Sequence, residues 1–390
     1  MVANRIMALA FVVTGGCTDA AATWTGTNHQ AVSVDAEVPA SFLRGARPLR
    51  ARRALRPAAL AGTARQPRSQ IDSVVNFSGQ FAAPGFDRDG NPQSVWPYTM
   101  VGRDPAQHRT TRINAPIIPV TVELLDASGH VRTTPSGAPM IMVTGTDTVS
   151  LTLNSPVFQK FPYTSGTTQI VDGMMRAQFF RQSGHRDADR DDDGYHTILD
   201  PSVKQTRAIQ LPLGSYRFLP RPDGTCCAFV LADIDEFEGH VFPPTADDTT
   251  TVMGAAEHAG DITPRDITTL LLRDVYLYEG DPSNCCVLGS HSVDVQPGDD
   301  ANGHRDRGYV MNYSTYISDG VFSGFIDVTA ISHEMSESFA NPFDINATPW
   351  WLSIDPFTGI SLCQNNLETG DVIEILSSNS THAVPLHGRT

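Results

Sequence analysis

The sequence predicts an α+β fold, built from a mixed, twisted sheet and a small number of helices. Thirty-one glycines and 27 prolines indicate many turns between short extended segments. Several segments after residue 115 have the composition and alternation of strands. Two others, Thr167–Arg181 and Ile326–Pro342, place apolar residues at the three- and four-residue spacing of a helix.

Length, composition and charge are those of a folded, acidic globular protein. A chain of 390 residues with a hydrophobic fraction of 40% can bury a large core, as one large domain or two. No apolar run approaches the roughly 18 residues of a membrane-spanning helix. Residues 1–70 carry nine arginines and three acids, a net charge of +6, so the remainder carries −21 of the total of −15. An acidic body argues against nucleic acid as a partner and suits a protein that attracts cations.

The first 17 residues have the pattern of an export signal peptide. Arg5 supplies a positive charge, and Ile6–Val13 form a short apolar run that small residues follow. Cys17 comes next, so the segment also fits a bacterial lipoprotein signal with a lipid anchor at Cys17, although Thr14 stands where leucine or valine is usual. Ordinary cleavage near Ala20–Ala22 is the alternative. Either route predicts an extracellular or cell-envelope location.

The chain after the signal divides into three parts. Residues 18–70 are rich in Ala, Arg, Pro and Thr, and we expect a disordered tether or a pro-segment, with an electrostatic clamp on the acidic body as the alternative. Residues 71–225 are expected to form a strand-rich part with one buried helix. Residues 226–390 carry the candidate metal site, either as a separate unit or in one domain with the preceding part.

Individual helices and strands are predicted from the spacing of apolar residues and from residues that favour turns or helix ends. The predicted strands are Ile117–Leu125, Met140–Val143, Val149–Leu153, Ala208–Leu213, Ser215–Leu219, Cys227–Ile234, Val275–Tyr278, His291–Val295, Tyr309–Ile317 and Val372–Leu376. Thr263–Arg273 is predicted as a helix, because threonine suits the N-cap and proline the first helical position. Thr167–Arg181 is apolar on much of its surface, so this helix is expected to be buried.

An acid-rich loop before residue 200 has the spacing of a calcium-binding loop. Counting from Asp189, acids fall at positions one, three, five and twelve, and a glycine falls at six. The predicted calcium ligands are Asp189, Asp191, Asp193, the carbonyl of Tyr195, and Asp200. No clear pair of helices flanks the loop, so a single Ca²⁺ site is expected, and a solvated acidic loop is the alternative.

The cysteines predict disulfides, because an exported chain meets an oxidising environment. There are six: Cys17, the adjacent pairs Cys226-Cys227 and Cys285-Cys286, and Cys363. Their pairing cannot be read from the sequence. No C-x-x-C spacing occurs, so a zinc site made of cysteines is not expected.

The segment Ile326–Pro342 is predicted to form a buried helix that presents His-Glu-x-x-Glu to a cleft. One face is apolar, comprising Val328, Ile331, Met335 and Phe339. Asp327 is predicted as the N-cap, and Asn341-Pro342 as the end of the helix.

His333, Glu334 and Glu337 on this segment have the spacing of a zinc-peptidase helix. His333 and Glu337 lie one turn apart and can bind one Zn²⁺, and Glu334 stands where such helices carry the general base. Carboxylate is an established zinc ligand, so Glu337 can replace the usual second histidine. The alternative is an amphipathic surface helix whose two glutamates are solvated.

A catalytic zinc site takes a third protein ligand, and its candidates are Glu368, Asp371, His291 and the acid-rich loops. Asp371 is favoured, because a strand predicted to begin just after it would hold a short carboxylate rigidly. Glu368 would then orient His333 or close the site. His291 could instead polarise a substrate carbonyl or stabilise an oxyanion, with a hydrogen-bonded structural histidine as the alternative.

Four stretches of the chain carry a resemblance to a known group of proteins. They are Cys286–His291, Tyr309–Tyr316, Asp327–Glu334 and Cys363–Asp371. Together they resemble secreted bacterial proteins with an H-E-x-x-E signature that are regarded as zincin-like metallopeptidases, and the plant exordium (phosphate-induced) proteins share a similar local pattern. The resemblance covers about residues 285–375 and departs at Asn341, where the family usually has aspartate.

The resemblance implies a zincin-like fold with a buried active-site helix. It implies His333 and Glu337 as zinc ligands, Glu334 as the base, and Glu368 and Asp371 as later acids of the site. The predicted function is a secreted zinc-dependent hydrolase acting on peptides or proteins. The alternative is a non-catalytic secreted binding or signalling module that keeps a structural metal.

Overall fold

The computed structural model describes residues 71–371, apart from 88, 164–165, 181, 183–193, 320, 323–325 and 355–360. The expected signal peptide and tether, the predicted strand Val372–Leu376 and the calcium-loop residues Asp189, Asp191 and Asp193 lie outside the described residues. Within the described ranges, no helix is both long enough and apolar enough to cross a membrane.

The architecture is mixed α+β, with a curled mixed sheet and few helices. The strands are β1 (Asn76–Phe86), β2 (Pro92–Val101), β3 (Thr110–Leu124), β4 (Ile141–Met142), β5 (Phe161–Tyr163), β6 (Gly166–Thr168), β7 (His196–Val203), β8 (Arg207–Leu211), β9 (Tyr216–Leu219), β10 (Phe229–Asp233), β11 (Ile267–Arg273), β12 (Val275–Tyr278), β13 (Cys285–Val287), β14 (Gly289–Gln296), β15 (Arg307–Tyr316), β16 (Ala347–Ile354) and β17 (Ser361–Asn366). The α-helices are α1 (Thr146–Leu153), α2 (Ile170–Gln178), α3 (Ile234–Val241), α4 (Val252–His258) and α5 (Thr329–Ala340).

The main sheet has seven strands and takes strands from both sides of residue 225. Its order is β14-β15-β11-β3-β4, and β7 and β8 also pair with β3. The pairings β15–β11, β11–β3, β3–β7 and β3–β8 are parallel, whereas β14–β15 and β3–β4 are antiparallel. The strands before and after residue 225 therefore share one hydrogen-bonded sheet.

Smaller sheets complete the described fold. A four-stranded sheet has the order β13-β12-β10-β9, and it leads directly into β14 through the short step from Val287 to Gly289. Three antiparallel pairs, β1–β2, β5–β6 and β16–β17, stand apart from the two larger sheets. The last of these pairs carries the chain back to the end of α5.

The structure confirms the predicted strands whose apolar pattern was clearest. Ile117–Leu125 lies almost entirely in β3, Val275–Tyr278 is β12, and Tyr309–Ile317 lies in β15 except for its last residue. The predicted buried helix is also present, as the shorter α2, with Val171 and Met175 fully buried. In these segments the spacing of the apolar residues predicts the buried face, because apolar side chains recur where the element meets the core.

The predicted strand Val149–Leu153 is wrong. The chain is helical over Thr146–Leu153, and the buried residues are Thr148, Val149 and Thr152. Their spacing of three and four places them on one helical face, so the alternation of apolar and hydroxyl residues did not reflect a strand. Val149 belongs to the same apolar core as α5.

The predicted helix Thr263–Arg273 is also wrong, because its second half is the strand β11. This strand pairs in parallel with β15 on one edge and β3 on the other, and its first six residues are fully buried. A parallel strand covered on both faces reads as a continuous apolar and β-branched run without alternation. The Thr263-Pro264 signal marks a turn, in which the Asp266 side chain accepts the N–H of Thr263 at 2.8 Å.

Helix α5 lies against β14 and β15 and also contacts α2 and β2. Its apolar face is buried as predicted: Ile331, Met335 and Phe339 are at most 1% exposed. The helix ends at Ala340 with Asn341 as its C-cap, in agreement with the predicted Asn341-Pro342 end.

The prediction of Asp327 as the N-cap is wrong, since Val328 occupies that position without a side-chain cap. Asp327 has a φ of 46° and exchanges backbone hydrogen bonds with Ile317, at 2.7 and 3.0 Å. Its N–H and C=O are thus already used in a bridge to the end of β15, and the helix begins two residues later.

The structure resolves two disulfides, and both join adjacent residues. Cys226 is bonded to Cys227 at the entrance to β10, and Cys285 is bonded to Cys286 within β13. Among the described cysteine side chains none is free. The second disulfide lies in the segment that leads into β14, five residues before His291.

Candidate metal centre

Three separate segments bring six ionisable side chains into one buried cluster. The cluster consists of His333, Glu334 and Glu337 from α5, His291 from β14, and Glu368 and Asp371 from the segment after β17. All six were candidate site residues on sequence grounds. The structure places them together, and its local geometry determines which of them face one another.

Helix α5 fixes the relation between His333 and Glu337. The two residues are four apart, so their side chains stack one turn apart, and His333 Nε2 lies 3.2 Å from Glu337 Oε1. Glu334 is 6% exposed and Glu337 is 4% exposed. The alternative of a surface helix with two solvated glutamates is therefore wrong, because β14 and the segment after β17 cover the side of α5 that carries both carboxylates.

Strand β14 presents His291 to the helix. His291 is opposite Asn312 of β15 in the antiparallel register, and it is 6% exposed. Its Nδ1 lies 3.3 Å from Glu337 Oε2 and 3.6 Å from Glu334 Oε2. The imidazole thus lies between the two glutamates of α5 and the core sheet.

The segment after β17 supplies Asp371, which faces His333. Asp371 Oδ1 lies 3.7 Å from His333 Nε2, and the Asp371 backbone N–H donates to Glu337 Oε1 at 3.2 Å. The Gln364 amide of β17 donates to Asp371 Oδ2 at 2.8 Å and orients the carboxylate. The backbone at 369–371 is helical, so Asp371 lies on a helical turn, and the strand predicted to begin after it lies outside the described residues.

Glu368 faces His291 of β14. Its Oε2 lies 3.9 Å from His291 Nε2, which is too long for a hydrogen bond. Glu368 immediately precedes the helical turn at 369–371, Asp371 lies on it, and both side chains reach the cluster. The sequence could not establish this arrangement, because it depends on how the β16–β17 pair returns the chain to α5.

Two sets of three residues in the cluster could each hold a metal ion. The first set is His333, Glu337 and Asp371, and the second is His291, Glu337 and Glu368. In each set, one ligand atom from every residue lies within 4.8 Å of the others. Glu337 belongs to both sets.

The electrostatics of the cluster follow from burial and close contact. Burial raises the pKa of Glu334, and burial together with the nearby Glu337 raises the pKa of Glu368 well above its usual range. Burial opposes ionisation of Glu337 as well, but His333 and His291 outweigh it and hold the pKa of Glu337 below its ordinary value. For His291, burial is outweighed by Glu368, Glu334 and Glu337, which raise its pKa well above the usual range.

Two glycines beside the cluster were not recognised as site residues from the sequence. A Cβ at Gly370 would lie 2.7 Å from three atoms of the His333 ring. A Cβ at Gly289 would lie 2.5 Å from Glu334 Cγ. Both glycines lie within the stretches that carry the family resemblance, and that position is the signal that could have identified them.

The calcium-loop residues that the structure describes have other surroundings. Tyr195 is fully buried and its ring packs against Phe179. Asp200 lies on β7 and forms an ion pair with Arg112 at 2.7 Å. Because the loop's other three ligands lie outside the described ranges, the calcium site remains a prediction.

We compared the chain with models of protein families, with curated proteins and with solved structures, and none of the three comparisons found a match.

Proposed function

We propose that this protein is a secreted, zinc-dependent hydrolase that cleaves peptide bonds, with α5 as the metal-binding helix of a zincin-like site. The observation that supports this proposal is the convergence of His333, Glu337 and Asp371 in a buried cluster. Glu337 Oε1 lies 3.2 Å and Asp371 Oδ1 lies 3.7 Å from His333 Nε2. Imidazole nitrogen and carboxylate oxygen are both established ligands of zinc, and a catalytic site takes three protein ligands.

The spacing of these atoms suits a shared ion. Zinc binds nitrogen and oxygen ligands at about 2.0–2.2 Å, so two ligands of one tetrahedral ion lie roughly 3.4 Å apart. The distances of 3.2 and 3.7 Å lie on either side of that value. Small side-chain rotations would therefore suffice to bind the ion.

The charge of the cluster also suits a cation. Within the described residues, the three glutamates of the cluster form ion pairs with histidines: Glu334, Glu337 and Glu368. None of these three glutamates forms an ion pair with a described lysine or arginine. Buried carboxylates are costly without a compensating positive charge. A divalent ion would supply that charge directly.

The residues around the ion would divide the chemistry between them. A bound zinc ion would supply a Lewis acid that polarises a carbonyl and acidifies water. His333, Glu337 and Asp371 would hold the ion, and Gln364 would keep the Asp371 carboxylate in place through its hydrogen bond of 2.8 Å. Glu334 would accept the proton of the attacking water and deliver it to the leaving amine.

The substrate class and the location belong to the same proposal. A peptide or protein substrate follows from the sequence resemblance, and the extracellular or cell-envelope location follows from the signal-like first 17 residues. The net charge of −15 supports a partner other than nucleic acid.

The variant Glu334→Gln tests the role of the base. It keeps the shape of the side chain but cannot accept a proton, so zinc binding should stay near the wild-type value. Turnover of a fluorogenic peptide library should fall at least ~10²-fold, which is the usual contribution of a positioned base. Glu236→Gln is the matched control, because Glu236 pairs with His240 on α3, outside the cluster.

Undiminished turnover by Glu334→Gln would show that Glu334 is not the base. A wild-type protein that binds zinc in this cluster but cleaves no member of the library would support the non-catalytic binding module instead.

A further inference from the structure

We propose that the cluster holds two divalent metal ions bridged by Glu337, one bound with His333 and Asp371 and the other with His291 and Glu368. This proposal rests on the proposed function for the first ion and adds a second. It assigns His291 and Glu368, which were candidates from the sequence for the third ligand of one ion, as ligands of a second ion.

The first argument is the placement of the two oxygens of Glu337. Its Oε1 faces His333 Nε2 at 3.2 Å, and its Oε2 faces His291 Nδ1 at 3.3 Å. The carboxylate thus offers one oxygen to each histidine. A carboxylate placed in this way can be shared by two ions, because Glu337 offers a ligand atom within 4.8 Å of those of His333 and Asp371 and of those of His291 and Glu368.

The second argument is a pair of polar atoms without partners. His291 Nε2 and Glu368 Oε2 are both buried, and neither has a hydrogen-bond partner. They face each other at 3.9 Å, and the His291 side chain is 8% exposed. Buried polar atoms are rarely left unpaired, and a cation bound to His291 Nε2 and Glu368 would satisfy both atoms. One imidazole gives one ion a single nitrogen, so His291 Nδ1 would remain a hydrogen-bond donor to Glu337, 3.3 Å away.

The third argument is charge. Four carboxylates meet in the cluster, those of Glu334, Glu337, Glu368 and Asp371. When all four are ionised and the histidines are neutral, as metal ligands must be, one divalent ion leaves two negative charges uncompensated. Two divalent ions balance the four carboxylates, which reduces the cost of burying them.

The two proposed ions would have the same types of ligand. Each proposed ion has one histidine of its own, one acidic residue of its own, and a share of Glu337. Paired metal sites of this type occur in hydrolases, where the two ions lie about 3.5–4 Å apart and act together on one substrate.

Metal stoichiometry of the full chain tests the proposal without an activity assay. The wild type and the variants Glu368→Gln, His291→Ala and His333→Ala are stripped with a chelator, loaded with Zn²⁺ in a competing chelator buffer, and analysed by mass spectrometry of the metal. The near-isosteric Glu368→Gln guards against a folding defect, and circular dichroism checks each variant. His240→Ala and Glu236→Gln are controls, because this pair on α3 repeats the residue types outside the cluster.

We expect two tightly bound zinc ions in the wild type and both controls, and one in Glu368→Gln and His291→Ala. Replacement of zinc by Mn²⁺ should give the electron paramagnetic resonance signal of two exchange-coupled ions, and each ligand variant should lose it. One zinc in the wild type that survives in Glu368→Gln and His291→Ala but is lost in His333→Ala would overturn the second site and leave the proposed function intact. No bound zinc, or one that is lost only in Glu368→Gln and His291→Ala, would overturn both proposals.

Discussion

At the residue scale, Glu337 is central to the cluster, because it contacts both histidines. Its position one turn after His333 could be read from the sequence, because that spacing is a property of any helix. Its contact with His291 could not, since β14 and α5 are separate elements joined only by packing. The glycines beside the cluster provide an independent test of the observed geometry.

Gly370→Ala should weaken metal binding, because the new Cβ would lie 2.7 Å from atoms of the His333 ring. The ring must shift to relieve this contact, and the shift changes the position of His333 Nε2 relative to Glu337 and Asp371. Misplacing a ligand through its supporting residues typically costs 10- to 100-fold in metal affinity, and we expect a loss of about that size in a chelator competition.

Gly239→Ala is the matched control for this substitution. A Cβ at Gly239 meets no atom within 4 Å, and the residue lies within α3, where alanine is the better helix former. Its metal affinity should equal that of the wild type. Equal affinities for all three proteins would contradict the observed contact between Gly370 and His333.

At the element scale, the orientation of α5 is set by its buried face and by the loop that follows it. Asn341 ends the helix, and its Oδ1 accepts the backbone N–H groups of Ile345 and Asn346 at 3.0 and 2.9 Å. Asn346 then donates to Ala340 O at 2.6 Å and exchanges hydrogen bonds of 2.7 and 2.8 Å with the backbone of Thr99. The C-terminal end of α5 is thereby tied to β2, and the chain is directed into β16.

Asn346→Ala should destabilise the fold by at least about 2 kcal/mol. The substitution removes three buried side-chain hydrogen bonds, and each buried group that loses its partner costs about 1–3 kcal/mol. Chemical denaturation of the metal-free protein measures the effect. Asn154→Ala is the control, because that side chain is exposed and its one hydrogen bond is 3.4 Å long; a loss no larger than that of the control would contradict the role given to Asn346.

At the scale of the whole molecule, the cluster forms where distant parts of the chain meet. The main sheet combines strands from both sides of residue 225 and supports β14, while the β16–β17 pair returns the chain to the open side of α5. The acidic balance of the chain favours a cation at this junction. Metal binding and overall stability should consequently be linked.

Removal of metal should lower the unfolding temperature of the wild type. An ion that binds only the folded state stabilises it by RT ln(1 + [L]/Kd), about 4 kcal/mol when free zinc is near 1,000 times Kd. Differential scanning calorimetry with zinc and with excess chelator measures the shift. The double variant with His333→Ala and His291→Ala lacks a histidine at both proposed ions, so it should unfold at the same temperature in both conditions. A wild type equally insensitive to chelator would contradict a folded-state metal site.

Much of this architecture could be predicted from local patterns, and the exceptions have physical reasons. The strands β3, β12 and β15 and the buried face of α5 were predictable, because side-chain spacing reports which face meets the core. The strand β11 was not, because burial on both faces removes the alternation that marks a strand. The helix α1 was missed because its small polar residues are buried on one face together with Val149.

The candidate site divides in the same way. His333, Glu334 and Glu337 could be chosen from the sequence because they share one helix. The pairing of His291 with Glu368 depends on tertiary packing between β14 and the segment after β17, and no local pattern encodes it.

The most direct test of the central claim is an anomalous difference map at the zinc absorption edge, from crystals of the protein loaded with zinc. We predict a peak about 2.0–2.2 Å from ligand atoms of His333, Glu337 and Asp371. A map with no peak beside Glu337, in crystals whose fluorescence scan shows zinc, would contradict the assignment of α5 as a metal-binding helix.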